Sequence, residues 1–160
     1  MLTKLFLPLL FLGATSAATA QPGCAVPAIK LLRDNVEVPA TGSALFPSVT
    51  LRVIPDAGCP AQGNFRFRNA ELTLVRHGRP LLPNMLVNQP QVDLRSLLSM
   101  YQPGDHLVVF IAYENLAIVG ADGKLKPYLQ TKPVKPKPGH LDLLTDEAKG
   151  ISFNWPLVKP

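Results

Sequence analysis

Apolar and polar side chains alternate along most of this chain with the period of two that belongs to strands half-buried in a sheet. Val49, Leu51 and Val53 alternate with Thr50 and Arg52 until Pro55-Asp56-Ala57-Gly58 halts the run. Phe65 and Phe67 alternate with Arg66 and Arg68, but Leu72 and Leu74 fall on the opposite parity. A single strand would turn one of these sets outward, so a bulge or break is expected near Asn69. His77-Gly78-Arg79-Pro80 then turns the chain. Leu107 to Tyr113 is apolar almost without interruption, which predicts a central strand covered on both faces. Val119 to Lys124 contains the pair Asp122-Gly123, a hairpin signal because both residues tolerate positive φ. Ile151, Phe153 and Trp155 alternate with Ser152 and Asn154 and predict a closing strand with its tryptophan in the core.

One helix interrupts the strands. Asp93 is placed to cap it, Leu94, Leu97, Leu98 and Tyr101 recur on one helical face, and Pro103-Gly104 ends it. At about two turns it depends on packing rather than propensity, and it reads as a lid over an open end of a β-sandwich. Thr131 to Gly139 alternates Pro and Lys. Proline lacks the amide donor and lysine needs water, so this segment is expected to be a solvated, extended loop inserted before the last strand. A short polar or helical patch at Leu141 to Lys149 follows it. No domain boundary or internal repeat is visible, and residues 21–160 read as one all-β domain.

The first twenty residues change the setting rather than the fold. Lys4, the apolar run Leu5 to Leu12 and the small residues Ala18-Thr19-Ala20 have the form of a secretory signal peptide cleaved after Ala20. The run is too short to span a bilayer, so a periplasmic or secreted chain with no transmembrane segment after cleavage is expected. Cleavage removes one of 16 basic side chains and none of the 11 acidic ones, lowering the formal net charge from +5 to about +4. Much of the excess lies at Lys124, Lys126, Lys132, Lys135 and Lys137, a solvated face with some attraction for anionic surfaces. Nucleic acid is not an expected partner. Cys24 and Cys59 form an even pair in an oxidising compartment and are expected to be joined, closing a loop with ~3–4 kcal/mol of stabilisation. Lipidation of Cys24 is the weaker reading, since Gln21-Pro22-Gly23 lacks the leucine such processing favours.

The order of these segments resembles a known domain. Ala70-Glu71-Leu72-Thr73-Leu74-Val75-Arg76-His77-Gly78-Arg79-Pro80, the leucine-rich helix, Pro103-Gly104-Asp105-His106 before an apolar strand, Gly120-Ala121-Asp122-Gly123-Lys124 and Ile151-Ser152-Phe153 are together similar to the C-terminal domain of GldM proteins, over roughly residues 45–155. GldM belongs to the gliding-motility and type IX secretion machinery of Bacteroidetes. The resemblance implies an immunoglobulin-like β-sandwich used for protein contact in the cell envelope, without catalysis. The chain departs from that family in leading from a cleavable signal into one domain and in carrying the Pro-Lys insertion, so the motor role does not carry over.

The residues themselves point to no reaction. His77, His106 and His140 lie apart, no His-x-His or Cys-x-x-Cys pair occurs, and nucleophile-elbow, phosphate-loop and dinucleotide motifs are missing from the sequence. No catalytic, metal or cofactor residue is assigned. The expected function is a non-enzymatic module that binds an envelope protein through sheet edges, through His77 and Arg79, and through Lys132, Lys135 and Lys137. The alternative is a glycan- or surface-binding module in which these lysines meet an anionic polymer and Tyr128 or Trp155 stacks on sugar.

Overall fold

A computed structural model describes residues 26–55, 63–128 and 149–159. Within these, the chain runs β1 (Ala28–Arg33), β2 (Val36–Glu37), β3 (Ser48–Ile54), β4 (Asn64–Phe67), β5 (Ala70–Arg76), β6 (Arg79–Pro80), β7 (Met85–Val87) and β8 (Gln91–Asp93). Then come the single-turn helix α1 (Arg95–Leu98), β9 (His106–Ala112), a 3₁₀ turn at Tyr113–Asn115, β10 (Leu116–Val119), β11 (Leu125–Pro127) and β12 (Gly150–Pro156). The expected signal segment, both cysteines and the Pro-Lys loop with its three lysines lie outside the described residues. So do His140 and the patch before β12 up to residue 148.

The result is the expected all-β sandwich. One sheet has the order β2-β1-β3-β8, a second β12-β9-β5-β6 with β7 also beside β5, and a smaller third β11-β10-β4. Register aligns the apolar stripes: Ile29 faces Val53, Leu31 faces Leu51, and Val49 faces Val92. Across the second sheet, Leu74, Leu107 and Trp155 form one row, and Leu72, Val109 and Phe153 the next. These inward faces share a single apolar cluster, to which Phe65, Leu116 and Tyr128 of the smaller sheet and its flank also belong. Trp155 is fully enclosed against Phe46, and its indole N–H donates to Ser43 Oγ at 3.0 Å, so the buried donor is satisfied.

The parity change is a real break. β4 ends at Phe67, and β5 begins at Ala70 in a different sheet, so each apolar set keeps its inward face. β9 lies between β5 and β12 as expected, but only Leu107, Val109 and Ile111 are buried. Val108, Phe110 and Ala112 are half-exposed, because the described residues place no complete covering layer on this face. The helix is also shorter than expected, at one turn. Its apolar set does pack on the core, and Asp93 Oδ1 accepts the Arg95 N–H at 3.0 Å from a position at the end of β8. As expected, α1 connects a strand of the first sheet, β8, to the central strand β9 of the second.

Two turns show how local sequence sets the hairpins. His77 and Gly78 both take positive φ, 49° and 76°, giving the mirror-image turn that matches strand twist. Asp34 and Asn35 do the same without glycine, at 49° and 64°, and join β1 to β2. In the β10–β11 hairpin, by contrast, only Gly123 has positive φ, and Gly123 N–H donates to Gly120 O at 2.9 Å. Asp122-Gly123 therefore ends a three-residue loop with a glycine bulge instead of forming a two-residue turn.

Candidate functional site

Two places on the surface combine exposed cations with unusual backbone. The first is the tip of the β5–β6 hairpin, where the turn geometry puts both His77 and Arg79 into solvent. The structure brings these two expected contact residues together; Lys132, Lys135 and Lys137 lie outside the described residues. Beneath the tip, Arg76 holds the hairpin to the turn before β9. Its Nε and Nη2 donate to Asp105 Oδ1 and Oδ2, both at 2.8 Å, and Nη2 also donates to the Met100 carbonyl at 3.0 Å. Gln102 N–H donates to Asp105 Oδ2 at 2.7 Å. Asp105 is 2% exposed, the one buried charged side chain among the described residues. The Arg76 guanidinium holds its carboxyl below the usual carboxylate range against the opposing effect of burial, with the Gln102 amide and the nearby His77 adding to the depression. Every strong acceptor position here is taken by the protein itself, so the pair anchors the hairpin rather than offering a reactive group.

The second place was not anticipated from sequence. An open groove of about 730 Å³ lies between β3 and β4, lined by both strands and closed at one side by Asn88, Pro90 and Gln91. Its volume falls within the range of about 300–1,000 Å³ typical of ligand sites. Arg52 and Arg66 stand on its two walls, both exposed, and no carboxylate is among the described lining residues. Neither arginine makes an ion pair with a described residue, whereas Lys30, Arg33, Arg76, Arg95 and Lys124 all do. The alternating Arg66 and Arg68 were visible in the sequence, but the position of Arg66 opposite Arg52 depends on strand order.

Tyr128 and Trp155 do not form a sugar platform. Tyr128 is 7% exposed and packed against Phe65 and Tyr113, and Trp155 is 0% exposed, so neither offers a ring face to solvent. Among the described residues no three His, Cys, Asp or Glu side chains converge on a possible metal position, and no helix is long and apolar enough to cross a membrane. Comparison of the chain with protein-family models, curated proteins and solved structures finds no match.

Proposed function

We infer that the chain is a non-enzymatic exported β-sandwich whose task is to bind a protein in the cell envelope, as its resemblance to the GldM C-terminal domain implies, and that the sandwich is of the immunoglobulin-like kind. The observation that carries this reading is the groove between β3 and β4, where the exposed Arg52 and Arg66, neither in an ion pair with a described residue, stand on facing walls. Interfaces favour arginine over lysine, because its planar guanidinium binds carboxylates in two places at once. A Cys24–Cys59 disulfide belongs to the same reading. So does cleavage after Ala20. The glycan alternative loses its stacking rings to the core and keeps only its charge.

Photo-crosslinking tests the proposal. A photoreactive residue is placed at position 66 in the groove, at 79 on the hairpin tip, or at 36 on the exposed β2 edge, and the chain is expressed in its own cells. A discrete adduct that protease removes, formed from 66 or 79 and not from 36, is expected. Adducts that resist protease but yield to glycan-degrading enzymes would favour the alternative.

A further inference from the structure

We propose that β7 is a docking edge for a second copy of this chain, an interaction that holds whether or not the groove binds a protein. The two β7 strands pair antiparallel about a twofold axis, and the second sheet runs on from one molecule into the next. Backbone direction provides the first argument. Leu81 N–H donates to the Leu74 carbonyl at 2.8 Å, so Leu74 and its even-numbered neighbours Leu72 and Ala70 turn their backbone groups toward β6 and β7. Leu72 lies opposite Met85 and Ala70 opposite Val87, and these pairs exchange the ladder hydrogen bonds. Leu86 stands between them, so its N–H and C=O point away from β5. No described backbone group pairs with them, nor with those of the flanking Asn84 and Asn88.

Sheet edges invite further pairing, and proteins blunt them with charge, proline or cover. Among the other outer strands, β2 carries Glu37, β4 Arg66, β6 Arg79 and Pro80, β8 Asp93, and β11 Lys126 and Pro127. β12 has no charge, but it lies beside β1, and Ser43 bridges the residue that follows it. β7 has none of these protections. No charged residue occurs from Pro80 to Val92, and no described element runs along the outer side of β7. Met85 and Val87 pack onto the core, whereas Leu86 between them is 68% exposed.

The edge is complementary to itself. Asn84-Met85-Leu86-Val87-Asn88 reads almost the same in both directions, so a twofold axis at Leu86 sets Leu86 beside its own copy and Asn84 opposite Asn88 of the second copy. Each asparagine amide both donates and accepts. The backbone groups of all three positions then meet partners, and no like charges face one another across the seam. Glu71, the charged neighbour one strand back, already accepts a hydrogen bond from Asn84 Nδ2 at 2.8 Å.

The test uses the full mature chain. Sedimentation velocity over a concentration series is expected to show monomer and dimer in equilibrium, and the Leu86 amide should exchange at least about tenfold more slowly in the dimer. Leu86→Lys would set two ammonium groups side by side and should weaken association by about tenfold or more. The melting temperature of the monomer should not change, because this side chain lies outside the core. Leu86→Cys would bring two thiols together on residues whose Cα atoms are about 5.5 Å apart, within the reach of a disulfide, so mild oxidation should link two chains. Val36→Cys, on the comparably exposed β2 edge, should not. A monomer at every concentration up to about 1 mM would overturn the proposal, as would a dimer that Leu86→Lys leaves intact or links that form equally from position 36. If a photoreactive residue at 86 captured another protein and no second copy, the edge would belong to that protein and the proposal would fall.

Discussion

The two faces of β9 permit a paired test in which chemistry, strand and neighbourhood are nearly constant. Val109 is 0% exposed, in register between Leu72 and Phe153, while Val108 is half-exposed on the opposite face. Replacing either by Thr keeps the β-branched shape and the strand preference, so differences in propensity largely cancel. What changes is a methyl for a hydroxyl. At 109 the hydroxyl enters an apolar cluster in which the ladder already uses the nearby carbonyls, and an unsatisfied buried hydroxyl costs about 1–3 kcal/mol. At 108 it reaches water, and the change should stay within about 0.5 kcal/mol. Urea unfolding followed by tryptophan fluorescence measures both, since Trp155 sits in the same row as Leu107. With a slope of about 1–3 kcal/mol/M, Val109→Thr should lower the midpoint by ~1 M and Val108→Thr hardly at all. Equal losses would mean that both faces of β9 are fully covered and that the one-sided core described above is mistaken.

Three further outcomes are expected. Gly150→Ala would drive a Cβ into the Ile111 carbonyl oxygen and the Phe110 ring, so β12 must shift and stability should fall by about 1–3 kcal/mol; an unchanged melting temperature would count against this pairing. Because the folded state depresses the Asp105 carboxyl, its contribution is complete above the unfolded carboxylate value of about 3.9 and is lost as pH falls through that value and below. The stability gap between wild type and Asp105→Asn should therefore be wide at pH 7 and narrow between pH 4 and pH 2, and parallel curves would refute the assigned role. Thiol titration of the unfolded, unreduced mature chain should find no free thiol if Cys24 and Cys59 are joined, and two reactive thiols would remove the disulfide.

Strands with one apolar face were legible wherever burial followed the period of two. Val49, Leu51 and Val53 in β3, and the change of parity between Phe67 and Leu72, could be read because a wrong register would expose them. β9 was read as covered on both sides because Val108, Phe110 and Ala112 are apolar too, and side-chain type does not distinguish full from partial cover. The Asp34-Asn35 turn escaped notice for want of a glycine, although both side chains tolerate the left-handed region. Of the candidate site, the His77-Gly78 tip was legible through its turn residues. The groove was not, since it exists only because β4 pairs with β10, far along the chain, in preference to its neighbour β3. Local periodicity carries no record of that choice.

The closing strand sets the order in which this protein can be completed during synthesis. β12 pairs along the whole of β9, and just beyond it Leu157 forms a parallel bridge to Ser43, near the opposite end of the described chain. Until Gly150–Pro156 leaves the ribosome, the β9 edge has no described neighbour on that side and the Trp155 site beside Leu107 stands empty. Contacts this distant in sequence form slowly, on the scale of milliseconds to seconds for β-sandwiches. A nascent or truncated chain that stops short of Gly150 thus carries an exposed apolar strand edge, the kind of surface that aggregates or recruits chaperones. Termination before Gly150 should be as damaging to this molecule as loss of a central strand.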